Sequence, residues 1–405
     1  MLVGGARAPA MGFILLTVLI DMMSIGIIVP VLPALIGTFT DGAADQAWWL
    51  GIVSFAFGIA NFFGAPVLGA LSDRYGRRPV LLLGFCGLAL NFFATALSTS
   101  MAMLIVVRLL GGLMQANAAV ANAYVADITL PEDRAKRFGM LGAMFGIGFI
   151  LGPLIGGLLG AINLQLPFFA AGGLALLNLL YGWFVLPESL PPERRRAMSW
   201  SSANPIKALR ELAQLKGVGS LMGAIAFTGL AQFAMYTIWV LYTTLKFGWD
   251  TEHNGWSLAA VGIMAVIVQG ALLGRLIKHF TATRLVLIGM VSQTCAYALY
   301  GLVPHGWMMF AVIGANVFGL TVTAAVQGIV SRAASESQQG QTMGAVSALN
   351  SLMAVIAPLL GAPALAAVTD LSRSDWRMGA PFFLCAALQA VALWLAVLHF
   401  RRHPG

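Results

Sequence analysis

Long apolar runs separated by short polar breaks dominate the pattern of this 405-residue chain. The apolar runs are continuous rather than alternating, which is typical of helices and excludes the strands of a membrane β-barrel. Most runs reach the roughly 20 residues that a helix needs to cross a bilayer. They predict twelve membrane-spanning helices, near residues 12–36, 47–71, 80–98, 101–125, 138–162, 167–186, 218–246, 255–275, 284–303, 307–330, 341–366 and 380–400.

The composition leads to the same class of protein. Hydrophobic residues make up 59% of the chain and charged residues only 9%, whereas a soluble domain carries about 25% charged residues. We therefore expect an all-α integral membrane protein whose first apolar run is an uncleaved first span. Three cysteines lie in separate apolar runs, which favours buried packing residues over a disulfide framework or a metal cluster: Cys86, Cys295 and Cys385.

The distribution of positive charge predicts the orientation in the membrane. If the N-terminus is cytoplasmic, 19 of the 23 lysines and arginines lie on the cytoplasmic side, and only Lys246, Arg373 and Arg377 fall in outer loops. By the positive-inside rule, both termini are expected in the cytoplasm. The net charge of +8 is therefore an orientation signal and requires no nucleic-acid partner.

The longest polar connection, residues 187–217, predicts a cytoplasmic linker between six spans in residues 1–186 and six in residues 218–405. Parallel repeats about an axis along the membrane normal are typical of one large class of secondary transporters. We therefore expect two six-helix bundles related by a pseudo-two-fold axis. Two motifs recur at the same offset of 205 residues, Leu151–Gly156 as Ile356–Gly361 and Gly69–Leu71 as Gly274–Leu276.

The connection between spans two and three carries the sharpest motif, Gly69-Ala-Leu-Ser-Asp-Arg-Tyr-Gly-Arg-Arg-Pro79. It resembles the G-x-L-x-D-R-x-G-R-R signature of the major facilitator superfamily, whose fold has twelve spans. The resemblance implies that this cluster latches the cytoplasmic side of the outward-facing state, partly against the eleventh span. Alternatively, its arginines serve topology alone. The candidate gate residues are Gly69, Asp73, Arg74, Gly76, Arg77 and Arg78.

Small residues in span five form a second motif. They match the G-x8-G-x3-G-P-x2-G-G pattern that marks drug antiporters within the superfamily. At this spacing small residues permit close helix contact, and the proline permits a bend. A tight interface here would limit leak between states and so favour exchange; the alternative is glycine-rich packing without functional meaning. The motif residues are Gly139, Gly148, Gly152, Pro153, Gly156 and Gly157.

Two charges lie inside otherwise apolar spans: Asp21 in the first and Arg108 in the fourth. An ionisable residue within the membrane is rare and by default a functional hypothesis. Low dielectric raises the proton affinity of a carboxylate, and a neighbouring arginine lowers it again. We therefore expect Asp21 to be the proton-linked residue and Arg108 its modulator. The alternative is a structural ion pair within the N-terminal bundle.

Neutral polar and aromatic residues on the spans are candidates for a substrate cavity. A wide apolar cavity with a few amides suits amphipathic, poorly specified ligands. For each residue taken singly, an ordinary hydrogen bond between helices is an equally good interpretation. The candidates are Asn91, Gln232, Phe233, Tyr236, Trp239, Gln269, Gln293 and Asn350.

Over most of its length the chain resembles the tetracycline/proton antiporters and related twelve-span drug:proton antiporters. The resemblance implies that Asp21 is the acid of the first span. Three departures replace an acid by Asn91, a histidine by Ala265 and an acid by Gln293, which puts tetracycline in doubt as the substrate. The residues that carry the resemblance are Asp21 with Gly26–Pro33, Asp73–Leu83, Phe145–Pro153, Phe247–Trp249, Gly255–Leu258 and Gln338–Gly340.

These features together favour a proton-driven exporter of an amphipathic drug or metabolite in the inner membrane of a bacterium, acting as a monomer. A facilitator or symporter of a native small solute is the alternative. The chain has no nucleotide-binding loop and no cluster of acid, histidine and cysteine. We therefore expect no enzyme, no ATP-driven export by this chain alone, and no cofactor or metal.

Overall fold

The computed structural model describes residues 7–115, 117–129, 133–195, 206, 219–333 and 339–402. Most of the predicted linker, and Gln338 of the family motif, lie outside these residues. Within them the regular secondary structure is helical. In the described ranges the α-helices are numbered α1 (Arg7–Ile28), α2 (Leu32–Gly37), α3 (Ala43–Tyr75), α4 (Arg77–Ala96), α5 (Met101–Met114), α6 (Asn117–Ile128), α7 (Arg134–Ile162), α8 (Leu166–Val185), α9 (Gly219–Phe247), α10 (Thr251–Ile267), α11 (Leu273–His279), α12 (Ala282–Leu302), α13 (Gly306–Ala315), α14 (Val322–Ala333), α15 (Gln339–Ala366) and α16 (Ala380–Arg402).

Eleven helical segments of the described chain are long and apolar enough to cross a membrane, and a bent pair makes a twelfth. The bent pair joins Gly306–Ala315 to Gly319–Gln327 at 56°, so span ten is a broken helix. Span eight continues from α10 to α11 through a π-helical turn at Val268–Leu272. The prediction of an all-α membrane protein is confirmed, and its twelve spans agree with the helices one by one.

The described chain divides into two compact units. Unit 1 holds the described residues of Met1–Leu35, Ala56–Pro205 and Asp250–Ala259. Its core is built from buried aromatic and aliphatic side chains on α1, α4 and α6, including Phe13, Phe85 and Tyr124. The Phe13 ring stacks on Tyr181 of α8 at 4.6 Å between centroids.

Unit 2 holds the described residues of Ile36–Phe55, Ile206–Trp249 and Ala260–Gly405. Aromatic rings pack together within it: Trp239 lies 5.0 Å from Tyr300 and 6.0 Å from Phe382 between centroids. Each unit therefore includes a segment from the other half of the sequence. The division into two sequence halves separated by a linker stays a prediction.

The two segments that pack with the other half of the sequence make equivalent contacts, each with one copy of the sequence repeat. A Cβ placed on Gly51, at the start of span two, would lie 3.2 Å from the Pro358 carbonyl oxygen and also against Ala362. A Cβ on Gly255, in span eight, would lie 2.6 Å from the Pro153 carbonyl oxygen and also against Gly157. The equivalent prolines of spans five and eleven thus each hold a glycine of another span at close contact.

Two expectations about single residues need correction. Of the three free cysteines only Cys385 is buried, whereas Cys86 is half-buried and Cys295 is exposed on its helix. Lys246 is not a solvated residue of an outer loop. It is 6% exposed, and its Nζ donates a hydrogen bond to the Gly301 carbonyl oxygen at 2.9 Å. An unpaired helix-terminal carbonyl is an acceptor that attracts a cation, which accounts for the burial of Lys246.

Candidate functional site

The two charges predicted inside the membrane are both buried in unit 1. Asp21 on α1 is 4% exposed and Arg108 on α5 is 7% exposed. The guanidinium carbon of Arg108 lies 5.9 Å from the centroid of the Phe57 ring, within reach of a cation–π contact. Its Nε and Nη2 atoms are buried and have no hydrogen-bond partner among the residues that the structure describes.

Glycines bring three helices together beside Arg108. A Cβ on Gly111 would meet the amide of Asn91 on α4, 2.5 Å from its Cγ. A Cβ on Gly112 would lie 3.1 Å from the backbone nitrogen of Asn61 on α3. Because neither glycine has a side chain, α5 lies against both neighbouring helices one turn beyond Arg108. Asn91 is 5% exposed, and its Oδ1 accepts no hydrogen bond from any described residue.

Arg77 organises the loop between α3 and α4. Its Nη1 donates to Asp73 Oδ1 at 2.5 Å and to Ser72 Oγ at 2.6 Å. Its Nε donates to Asp127 Oδ2, at the end of α6, at 3.0 Å. Arg77 is 9% exposed. It is therefore a buried cation held between two carboxylates, and not a solvated arginine that serves only to orient the chain in the membrane.

Glu188 ties the same loop to the chain that follows α8. Its carboxylate accepts hydrogen bonds from the backbone N–H groups of Arg77 at 2.8 Å and Arg78 at 3.3 Å. These are the first two N–H groups of α4, which have no partner within the helix. Gly76 before them has φ 105°, and a side chain there would collide with the Glu188 carboxylate. The glycine is required by both its conformation and this close approach.

The other predicted gate residues lie around this cluster. Arg78 Nη2 donates to the Trp183 carbonyl oxygen at 2.7 Å. Arg74 is exposed and lies 5.1 Å from the centroid of the Tyr75 ring. A Cβ on Gly69 would meet nothing within 4 Å, so this glycine is not needed for close packing in unit 1.

The glycine motif of span five packs α7 against α1. A Cβ on Gly148 would lie 2.7 Å from the Met22 Cβ, and one on Gly152 would lie 2.7 Å from the Gly26 Cα. Pro153 lies against Gly26, and Gly156 against the Ile27 carbonyl oxygen. A Cβ on Gly139, by contrast, would meet nothing within 4 Å. Four motif residues, Gly148, Gly152, Pro153 and Gly156, therefore share the interface with α1, and within the described residues Gly139 lies outside it.

Gly157 carries the motif to a second neighbour, the start of α10. Thr251 Oγ1 donates to the Gly157 carbonyl oxygen at 3.1 Å. Asp250 lies just before this helix. Its partial burial opposes ionisation, but hydrogen bonds from the backbone and ring of His253 outweigh it and hold the pKa of the carboxyl below its usual range. The carboxylate accepts the His253 N–H at 2.8 Å, which fixes the first turn of α10.

A cavity of about 210 Å³ lies inside unit 2, among α9, α12, α14 and α15. Three predicted substrate residues line it: Gln232, Phe233 and Asn350. Three polar residues that the sequence interpretation did not include also line it: Thr228, Thr323 and Gln327. The lining holds amides, hydroxyls and apolar groups but no charged side chain among its described residues.

The other candidates of the second half lie elsewhere in unit 2: Tyr236, Trp239, Gln269 and Gln293. Gln232 Nε2 donates to the Tyr236 hydroxyl at 2.9 Å, and Gln293 Nε2 donates to the Tyr297 hydroxyl at 2.8 Å. Two parallel Gln–Tyr pairs thus lie on α9 and α12 at helical spacing. Trp239 is 2% exposed and belongs to the aromatic core. Gln269 is exposed in the π-helical turn.

Comparison with known proteins gives one consistent answer. A family model described as Major Facilitator Superfamily matches residues 14–358. Tetracycline resistance protein, class C, of Escherichia coli is 36% identical over 380 residues, which cover 94% of each chain. Tetracycline resistance protein, class D, of Salmonella ordonez is 36% identical over 353 residues, which cover 87% of this chain and 88% of that protein. The crystal structure of the human organic anion transporter MFSD10 is 24% identical with a TM-score of 0.71, covering 97% of this chain and 100% of that one.

Proposed function

The chain belongs to the major facilitator superfamily, and from that premise we propose that it is a proton-coupled antiporter. It exports an amphipathic, drug-like or metabolite substrate by alternating access. Support comes from relatives called tetracycline resistance proteins, whose similarity extends over nearly the whole of both chains. Such coverage makes a shared transport cycle the simplest interpretation.

The observation that carries the proposal is Asp21. It is 4% exposed on the apolar helix α1, where an ionised carboxylate is costly. In a transporter that alternates between two sides, such a group takes a proton where the site is dry and releases it where water or a cation reaches it. Asp21 therefore couples proton entry to substrate exit, with Arg108 of the same unit tuning its proton affinity.

The substrate contacts of the second half are neutral. Gln232, Phe233 and Asn350 line the cavity of unit 2, which suits an apolar ligand with a few hydrogen-bonding groups. Tetracycline remains one candidate substrate because of the relatives' names. Asn91, Ala265 and Gln293 weigh against it, because these residues neither titrate nor bind a metal chelate.

The loop cluster and the span-five glycines serve the cycle itself. We assign the Arg77 network to a latch at the cytoplasmic side, since its carboxylate partners fix the end of α3 and the start of α4. The packing of α7 on α1 through Gly148, Gly152 and Gly156 limits leak between states. Gly139 is the one motif residue for which this role lacks a contact in the described structure.

The cellular setting follows from the same reasoning. We place this multi-pass protein in the inner membrane of a bacterium, with both termini in the cytoplasm, because 19 of 23 basic residues then lie inside. It is expected to act as a monomer on protons and a small molecule, surrounded by lipid. Residues 187–217 join the two six-helix halves on the cytoplasmic side.

The first prediction tests the proton assignment with Asp21→Asn. A panel of amphipathic antibiotics and dyes, tetracycline included, is screened for export by a drug-sensitive bacterial host that expresses the chain. For each exported compound, we expect Asp21→Asn to abolish efflux driven by a pH gradient in everted vesicles, because the variant cannot carry the proton. Binding of the same compound to purified protein is expected to survive.

The matched control is Asp45→Asn, which removes an exposed acid at the start of α3 and should leave efflux unchanged. Unchanged efflux in Asp21→Asn would remove the proton role. Efflux that ignores the pH gradient in the wild-type protein would instead support a facilitator.

A further inference from the structure

Arg108 carries a buried positive charge, and two of its nitrogen atoms are not used in hydrogen bonds to the described residues. Its side chain is more than nine-tenths buried, and in the described part of the chain no acceptor reaches the Nε and Nη2 atoms. A buried guanidinium is stable only when an anion or several acceptors face it. The contact that the structure gives it among the described residues is the face of the Phe57 ring, and a ring face does not replace a counter-charge.

Two hydrogen-bond acceptors that have no partner among the described residues border the helical turn after Arg108. Asn91 Oδ1 on α4 and Asn61 Oδ1 on α3 are both buried, and neither has a hydrogen-bond donor within the described ranges. Gly111 and Gly112 hold α5 against these two helices, so the two amides border the turn that follows Arg108. Three helices of unit 1 thus converge on a cluster with two free donor atoms, two free acceptor atoms and an aromatic face.

We propose that this cluster of Arg108, Asn91, Asn61 and Phe57 is a binding site for a carboxylate group of the substrate. The site takes an aromatic or otherwise apolar acid that carries a hydroxyl or amide donor next to its carboxylate. The planar fork of the guanidinium binds the carboxylate oxygens. The amide oxygens accept the neighbouring donor, and the ring of Phe57 packs on the apolar frame.

Asn91 makes this recognition available. A carboxylate at position 91 would supply the counter-charge from within the protein and compete with an acidic ligand. The neutral amide leaves Arg108 to the ligand and adds an acceptor. The assignment rests on the proposed transport function and adds to it the class of substrate, an amphipathic acid.

The test measures binding to purified, detergent-solubilised full-length protein without any proton gradient. The probes are matched pairs that differ only in charge: salicylate and salicylamide, 3-hydroxy-2-naphthoate and its carboxamide, and 2-naphthoate and 2-naphthamide. Ligand-dependent thermal shifts are titrated to give Kd. We expect at least one acid to bind about tenfold more tightly than its amide, as charge-assisted pairing implies, with the hydroxy acids preferred over 2-naphthoate.

Two variants locate the charge that produces this preference. Arg108→Gln should remove it. Asn91→Asp should also remove it while raising the melting temperature of the unliganded protein, because the buried cation gains a partner. The control Asn163→Asp adds the same charge in an exposed loop after α7 and should keep the preference. Asn91→Asp remains informative even where Arg108→Gln fails to fold.

Equal binding of every acid and its amide by the wild-type protein would overturn the assignment, as would an acid preference that persists in Asn91→Asp. The outcome is distinct from that of the transport proposal. Acid binding with the expected variant pattern but without proton exchange would leave the site standing and remove the coupling. Proton exchange with a neutral substrate and no acid preference would support the coupling and remove the carboxylate site.

Discussion

The carboxylate of Glu188 accepts several hydrogen bonds. It accepts from the first two N–H groups of α4 and from those of Ser189 and Leu190. The neighbouring Ser189 hydroxyl donates to Asp127, the carboxylate that also holds Arg77. Glu188 therefore fixes the start of span three and its own turn, and the adjacent Ser189 joins this turn to the end of span four.

The second prediction concerns Glu188→Ala. It should lower the stability of the purified protein by about 1–2 kcal/mol, because two N–H groups at the start of α4 lose their acceptor. Glu188→Gln keeps one carbonyl oxygen, so its stability should lie between those of the wild-type protein and Glu188→Ala. Thermal melting in detergent measures the effect. The control is Glu193→Ala, at an exposed position of the same segment; equal melting of the two alanine variants would remove the capping role.

The sequence could reveal some of these residues and not others. Asp21 and Arg108 interrupt apolar runs, so hydropathy alone isolates them. Glu188 and Asp127 lie where a span meets a polar break, and acids there are ordinary. Their importance comes from contacts across 111 and 50 residues of chain, which no local pattern contains.

At the scale of the element, the glycine face of α7 decides how closely α1 can approach. Gly152 faces the backbone of Gly26 and Met23, and both atoms nearest to an added Cβ lie at 2.7 Å. Backbone atoms on a packed helix cannot move aside as a flexible side chain can. The sequence pattern predicted such an interface from spacing, but it did not distinguish Gly139, which makes no close contact among the described residues.

The third prediction uses this difference within one motif. Gly152→Ala should destabilise the protein by about 1–3 kcal/mol, since the added methyl overpacks the α1–α7 contact. Gly139→Ala should be neutral or slightly stabilising, because alanine favours the helix and the space is open. Thermal melting of both variants gives the comparison. A Gly139→Ala variant as unstable as Gly152→Ala would contradict the assignment of the interface.

At the scale of the whole molecule, the twelve spans could be predicted because hydropathy is local and a bilayer fixes the length of a helix. Which segments of the chain make up each of the two units could not be predicted. Ile36–Phe55 packs within unit 2 and Asp250–Ala259 within unit 1, and these contacts join helices far apart in the chain. The repeat of a proline and a small residue in spans five and eleven was visible in the sequence, but not the glycines that each contacts.

The fourth prediction concerns orientation. In a cysteine-free background, Asp41→Cys lies in the exposed turn before α3 and Glu193→Cys in the exposed segment after α8. By the positive-inside rule, a membrane-impermeant maleimide applied to intact cells should label Asp41→Cys and not Glu193→Cys. Permeabilised cells should label both. The opposite pattern in intact cells would reverse the assigned topology.

The most direct test of the account is the direction of proton movement in proteoliposomes. Purified protein is reconstituted with a pH-sensitive dye inside, and an exported compound from the screen is supplied on one side only. We expect substrate movement to drive protons the opposite way in the wild-type protein, and Asp21→Asn to abolish this proton flux. Protons that move with the substrate, or a flux that persists in Asp21→Asn, would contradict proton antiport through Asp21.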